Sequence, residues 1–232
     1  MPLFDKIKTN MGFDVKITTF FSPLDLIAPF SCRSCGALGE IICRRCKKYN
    51  ISAIPKHCPR CQKDRKECKC QVPVYAVSKR EGVLVGLTED YKYKSIRKAA
   101  GVLAELIDHA IELRQNNVVV VPLPTISKHI RERGFDHTLL LAKKLARRHK
   151  GWQVQRILER QGKTVQVGSD GDKRRRQAKD AYTVGKGAKI DSTKTYLLLD
   201  DVWTTGASME AAIAQLKAAG AEKLAAAVIL IP

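Results

Sequence analysis

The sequence predicts a parallel α/β sheet with a small metal-stapled segment toward its N-terminal side. Three observations lead there. All eight cysteines fall in pairs between Cys32 and Cys70. Short, wholly apolar runs stand at 118–121, 196–199 and 225–231. Stretches with apolar residues three and four apart lie near these runs, the pattern of amphipathic helices. Apolar runs of this kind suit strands buried on both faces. Strands that alternate with helices imply a parallel sheet.

The cysteine pairs are Cys32-x2-Cys35, Cys43-x2-Cys46, Cys58-x2-Cys61 and Cys68-x-Cys70. Pairs two residues apart present two thiolates from one tight turn, as a tetrahedral zinc site requires. Gly36 follows the first pair, where a turn asks for positive φ. Two zinc ions are therefore expected. Sequential wiring joins the first two pairs and then the last two; cross-braced wiring alternates them. The seven- and six-residue separations inside each half close small loops at low entropic cost and favour the sequential form. Four thiolates leave no open coordination position, so both zincs are structural. A segment of this size with few large apolar side chains has no adequate core without them. His57 is not needed as a ligand.

The 232 residues carry a formal charge of +19. Eight thiolates holding two zinc ions lower it by about 4. The excess suggests a polyanionic partner, either nucleic acid or the phosphates of a small molecule. Arg33, Arg44, Arg45, Lys47, Lys48, Arg60, Lys63, Arg65, Lys66 and Lys69 crowd the cysteine segment. They can contact nucleic-acid phosphates or offset thiolate charge. No apolar run approaches the roughly 20 residues of a membrane helix. The first residues lack the apolar core of a signal peptide, so a cytoplasmic protein without membrane insertion is expected.

From about Gln71 the composition shifts to apolar periodicity. Residues 99–113 read as an amphipathic helix. The 118–121 strand is ended by Pro122 and Pro124. Residues 138–148 read as a helix whose basic C-terminal end suits the dipole. Residues 208–219 form an Ala-rich helix stopped at Gly220. Residues 161–189 are rich in Gly, Lys and Arg, lack clear periodicity, and read as a long mobile loop. Gly162-Lys163-Thr164 imitates the end of a P-loop, but Ile157 stands where its first glycine belongs.

The run YLLLDDVWTTGAS, 196–208, carries the chemistry. Two adjacent carboxylates at a strand end repel each other unless hydroxyls or a cation sit beside them. Parallel sheets bind ligands at the carboxyl ends of their strands. The turn that follows opens a helix, with free backbone N–H groups, hydroxyls and a positive dipole end for an anion. Acids beside a phosphate cradle suit a sugar phosphate.

This run resembles the phosphoribosyl pyrophosphate (PRPP) signature of type I phosphoribosyltransferases. Residues 24–232 are similar to the ComF competence-protein family, including its GntX-like members. The likeness rests on the cysteine pairs, Tyr91-Lys92-Tyr93-Lys94, Val121-Pro122-Leu123-Pro124, Arg131-Glu132-Arg133-Gly134-Phe135-Asp136 and the 196–208 run. A looser match covers Thr164, Gln166, Arg174, Gln177 and Ala181-Tyr182. The chain departs from the family at Gln177, Tyr182 and the bulky Trp203.

The resemblance implies an extension over 1–27, a double zinc ribbon over 28–72, and a type I phosphoribosyltransferase-like unit over 73–232 with a mobile loop at 160–189. It implies that Asp200 and Asp201 hold the ribose hydroxyls. Thr204, Thr205, Gly206, Ala207 and Ser208 cradle the 5′-phosphate. Pro122, Leu123, Pro124 and Thr125 meet the pyrophosphate, with Mg²⁺ bridging its oxygens and the ribose hydroxyls. Arg131, Arg133 and Arg174, in the basic run 173–176, stabilise the leaving group; that run also fits a solvated charged surface. Purine-salvage relatives often carry an acid where Thr204 stands here, so a free nucleobase is not the implied acceptor. His137 adjoins the Arg-Gly-Phe run and falls near the ligand. Three functions follow as expectations. One is phosphoribosyl transfer to an unidentified acceptor. Another is handling of single-stranded DNA with other DNA-uptake proteins. The third is nucleic-acid-binding regulation that senses PRPP. Aromatics for base stacking are sparse in the ribbons.

Overall fold

The computed structural model describes residues 29–50, 55, 57–64, 66–94, 96–113, 115–161 and 181–232. Arg174 and the rest of the 173–176 run lie outside them. A five-stranded parallel sheet forms the centre, in the order β1-β7-β6-β2-β3. Its strands are β1 (Val74–Lys79), β2 (Val118–Pro122), β3 (Gln153–Val154), β6 (Thr195–Leu199) and β7 (Lys223–Ile231). A separate antiparallel pair joins β4 (Leu158–Arg160) to β5 (Tyr182–Val184).

Each central strand alternates its side chains between two apolar clusters. Val118, Val120, Leu197, Leu199, Ala225 and Ala227 face one cluster. Val119, Val121, Tyr196, Leu198, Ala226 and Val228 face the other. The period of two, with both sets apolar, is why these runs read as buried on both faces. Helices α2 (Val83–Tyr93), α3 (Ala99–Ala110) and α5 (His137–Ala146) cover the first face. Helix α6 (Ala207–Ala218) and the β4–β5 pair cover the second. Two further short helices lie among the described residues: α1 (Arg44–Asn50) in the cysteine segment and α4 (Ser127–Arg133) after β2.

The structure redraws several sequence boundaries. Pro122 is the last residue of β2 rather than the residue that ends it, aligned with Leu199. The ladder survives because Leu123 N–H donates to the Leu199 carbonyl at 2.9 Å, so the missing N–H of proline costs little at a strand end. Helix α3 stops at Ala110, where Ile111 turns extended, yet Ile111 and Leu113 stay buried. Apolar spacing reports burial, which continues past the helix end. Tyr182, Thr183 and Val184 form a strand inside the segment read as a loop. β1 and α2 were not marked out by the sequence.

The cysteine segment is docked on this framework. Cys32, Ile42 and Cys46 belong to the same apolar cluster as Leu84, Leu87 and Leu103. Arg33 pairs with Asp90 of α2 at 2.7 Å and Lys47 with Glu105 of α3 at 2.9 Å. Arg60, near the second set of cysteines, pairs with Glu210 of α6 at 2.6 Å. These three cations hold the segment to the sheet unit. Arg44, Arg45, Lys63, Lys66 and Lys69 remain exposed. Among the described residues no helix is long and apolar enough to cross a membrane.

Candidate functional site

The parallel register sets the site. β2 and β6 are neighbours and end level with each other, Pro122 beside Leu199. The chain after each strand therefore emerges at one edge. From β2 come Leu123, Pro124 and Thr125. From β6 come Asp200, Asp201 and the turn into α6.

Asp201 is buried and Asp200 partly so. Asp201 is fixed from its backbone: its carbonyl accepts N–H groups of Ile229 and Leu230, each at 3.0 Å, and its N–H donates to Asp200 Oδ1 at 2.9 Å. Two cationic or polar groups meet its side chain. Lys92 Nζ lies 2.5 Å from Asp201 Oδ2, and His137 Nε2 lies 3.0 Å from the same oxygen. Arg133 Nη1 sits 3.1 Å from His137 Nδ1. A guanidinium only donates, so Nδ1 accepts and Nε2 carries the proton given to Asp201. Tyr91 donates its hydroxyl to the His137 carbonyl at 2.6 Å, which locks α2 to the start of α5.

The two carboxyls are driven apart in acidity. Burial, then the charge of Asp201, pushes Asp200 well above the ordinary carboxylate range. Burial also opposes the charge on Asp201, but the His137 hydrogen bond and the Lys92 ammonium outweigh it and hold Asp201 below that range. The two side chains share a hydrogen bond. One proton between them leaves a single negative charge, matched by Lys92.

The turn after the acids has an anion-binding form. Gly206 caps α6 with φ +78°, and a Cβ there would stand 2.3 Å from the Trp203 ring. Only glycine fits that approach. The bulk of Trp203 is turned into the core with Leu123, Tyr182 and Met209. Thr204, Thr205 and Ser208 are exposed at the rim. The Ala207 N–H donates to Thr205 Oγ1 at 3.4 Å, and the first N–H groups of a helix have no partner within it. Tyr182 hydrogen bonds with Ser208 and, at 3.3 Å, with Arg160, so the base of the 160–189 segment rests against this turn.

On the β2 side, Asp136 caps α5 by accepting the Leu139 N–H at 3.1 Å. Its Oδ1 also lies 3.0 Å from Thr138 Oγ1 and 3.2 Å from Thr125 Oγ1. Thr125 is 3.3 Å from His137 Nδ1. Thr125, Arg133, His137, Asp201 and Lys92 thus form one connected cluster. Arg131 is exposed on α4. The sequence marked Arg133 and His137. It gave no role to Lys92, Tyr91, Asp136 or Thr138. The signal for α2 was the spacing of Leu84, Leu87, Thr88 and Tyr91, which puts Tyr91 on the buried face and Lys92 at its margin.

The cysteines form two groups with sequential wiring. Cys32, Cys35, Cys43 and Cys46 lie together, as do Cys58, Cys61, Cys68 and Cys70, each with sulfurs within 4.8 Å of one another. Cys35 and Cys43 sulfurs are 3.7 Å apart, and Cys61 and Cys68 sulfurs 3.6 Å. A tetrahedron with Zn–S bonds of about 2.3 Å has S···S edges of about 3.8 Å. Both groups can hold a zinc ion. Burial opposes ionisation of Cys32, yet backbone N–H groups of Cys43, Cys35 and Ser34 bring it down to about 6. The two turns repeat each other. Gly36 N–H bonds to Cys32 and Gln62 N–H to Cys58, and both residues have positive φ, +77° and +60°. Magnesium is a different case. It wants open oxygen ligands, but Asp201 Oδ2 is taken by Lys92 and His137, and Asp200 shares a proton with its neighbour. At this edge neither Asp200 nor Asp201 is a carboxylate free of protein partners.

No protein-family model and no curated protein matches this chain. Among solved structures it is similar to an allosteric regulatory enzyme of purine biosynthesis, at 15% identity over 61% of this chain and 30% of that one, TM-score 0.42. It is also similar to a hypoxanthine phosphoribosyltransferase from Staphylococcus aureus, at 14% identity over 60% and 65% of the two chains, TM-score 0.33. A third is an adenine phosphoribosyltransferase from Thermoanaerobacter pseudethanolicus, at 15% identity over 60% and 84%, TM-score 0.36. The chain spans less than two thirds of the first two. Likenesses this distant bear on neither ligand nor reaction.

Proposed function

We propose that this protein binds PRPP at the carboxyl edge of β2 and β6 and transfers its phosphoribosyl group to an acceptor. The observation that carries the reading is the juxtaposition of the adjacent Asp200–Asp201 carboxyls with the glycine-capped turn of α6. The pair accepts hydrogen bonds from the vicinal ribose hydroxyls. Thr204, Thr205, Gly206, Ala207 and Ser208 take the 5′-phosphate through backbone N–H groups and hydroxyls. Pro122, Leu123, Pro124 and Thr125 line the approach for the pyrophosphate. In the transfer, the bond from ribose C1 to the pyrophosphate oxygen breaks and its electrons leave with that oxygen. The acceptor's lone pair forms the new bond at C1, and its proton passes to water. Arg133, with Arg131 and Arg174, offsets the charge that grows on the leaving group. Magnesium, if it accompanies PRPP, would offset the pyrophosphate charge beside the 122–125 turn. Residues 28–72 serve as two zinc ribbons packed on a PRPP-binding unit over 73–232.

A second reading is favoured by one observation. After Arg33, Lys47 and Arg60 are used within the chain, Arg44, Arg45, Lys63, Lys66 and Lys69 remain exposed on the ribbons. In that reading PRPP binding regulates a single-stranded DNA-handling protein of the ComF type, working with other DNA-uptake proteins. Calorimetry of the zinc-loaded protein with PRPP tests the first reading. Binding lost in Asp200→Asn/Asp201→Asn is expected. Absence of binding by the folded wild type would sink both PRPP transfer and PRPP regulation and leave single-stranded DNA handling without PRPP, which filter binding of single-stranded DNA then decides.

A further inference from the structure

Adjacent carboxylates at a sugar-binding edge need a cation, and the chain supplies one of its own. Lys92 reaches Asp201 from α2, far away in sequence, with Nζ 2.5 Å from Oδ2 and a side chain that is only 18% exposed. Its place is set on both sides. Tyr91, the preceding residue, is fully buried and bonded to the His137 carbonyl. His137, in turn, gives its Nε2–H to the same Asp201 oxygen. The main chain of Asp201 is held in place, because its own carbonyl accepts the N–H groups of Ile229 and Leu230. The ammonium therefore sits where β6 ends, at the edge where the acid pair would meet a sugar.

His137, Asp200 and Asp201 have ligand atoms within 4.8 Å of one another and are close enough to chelate an ion. An ion there would share the Asp201 carboxylate with Lys92, whose ammonium is 2.5 Å from Oδ2, and would face that positive charge. Like charges this close oppose each other. Imidazole is also a poor partner for magnesium. An ammonium has three N–H donors arranged around one charge, and Asp201 takes one. It can do what a bridging divalent ion does: neutralise the carboxylate and point at ligand oxygens.

We infer that Lys92 is the cation of the ribose half of this site, bridging Asp201 and the sugar oxygens, so that a ribose 5-phosphate moiety is held without a divalent metal. This rests on the PRPP reading and deepens it. Any magnesium dependence then comes from the pyrophosphate half of the ligand alone. Ribose 5-phosphate, which has the diol and the phosphate but no pyrophosphate, separates the two halves.

The experiment is calorimetry of the full zinc-loaded chain with ribose 5-phosphate and with PRPP, in buffer stripped of metal by resin and again with millimolar Mg²⁺. A soluble chelator is avoided because it would compete for the zinc. Wild type is expected to bind ribose 5-phosphate with Kd unchanged by Mg²⁺ within about twofold. Lys92→Met, checked for unchanged zinc content and melting, is expected to bind it at least ~10-fold more weakly without metal and to regain affinity with Mg²⁺. Lys92→Arg keeps the charge and is expected to retain metal-free binding. Wild-type binding of ribose 5-phosphate that needs Mg²⁺ overturns the inference while PRPP binding stands. So does Lys92→Met that binds like wild type without metal, or PRPP binding with no affinity for ribose 5-phosphate in either buffer. Failure of PRPP itself to bind overturns the PRPP reading and the inference together.

Discussion

Asp200 and Asp201 are identical in chemistry and adjacent in the chain, yet they hold their protons at opposite extremes. Asp200 is pushed up by burial and by its neighbour, to about 8. Folded protein therefore holds more protons than unfolded chain between the ordinary carboxylate range, about 4, and about 8. Stability from this group falls as pH rises through that window. Asp200→Asn removes the slope. Its melting temperature should gain on wild type as pH is raised, with an advantage on the order of 1–3 kcal/mol at the alkaline end and little at about pH 4. Scanning calorimetry of both proteins across that range checks it, and parallel curves would refute it. Asp201 behaves oppositely: its contribution is present above the unfolded range and lost as pH falls through its depressed value. The pair was plain in the sequence. Its asymmetry was not, because the groups that create it, His137 and Lys92, come from other helices.

Among the elements, α5 links the fold to the site. Its sequence showed a helix from its apolar spacing and its basic last turn, Lys143 and Lys144. Its cap does more than start the helix. Asp136 Oδ1 gathers the Leu139 N–H, Thr138 and Thr125 on one oxygen. Thr138 also donates to the Leu123 carbonyl at 2.8 Å. The cap therefore positions the turn after β2. Asp136→Ala should cost about 1 kcal/mol in urea unfolding, the usual value of an N-cap. It should also weaken PRPP binding, since Thr125 and Thr138 lose a shared partner. Stability lost with unchanged PRPP affinity would show that the cap serves the helix alone. A capping aspartate before an apolar-periodic run is readable from sequence. Its second and third partners depend on where β2 ends in space.

Across the whole molecule, the two cysteine groups grip opposite sides of the sheet. The first shares the apolar cluster of α2 and α3 through Cys32, Ile42 and Cys46. The second touches α6, on the other face, through Arg60 and Glu210. Zinc removal should therefore lower the melting temperature of the entire chain rather than free a small module. Cys46→Ser, at a buried position, should lower it by ~5–10 °C, the scale of a loss of about 3 kcal/mol in a chain of this size. Cys70→Ser, less buried and outside both clusters, should cost less. Zinc content with calorimetry of each variant tests the order. Equal losses would mean that the first group does not support the core.

By itself the sequence determined the strands β2, β6 and β7, since apolar runs buried on both faces have no other stable place. It also determined the cysteine pairs, since two thiols from one turn need only local chain, and the acid-rich turn into α6. Its ribbon wiring was an entropic preference, and the sulfur positions now agree with it. Tertiary structure alone decided what each acid does. Lys92, Arg133 and His137 are ordinary polar residues in their own segments. They become the electrostatic setting of Asp201 only when the end of α2, the end of α4 and the start of α5 meet beside the end of β6. Charge interactions act through a few ångströms of space, and the chain order does not record which distant side chains will share them.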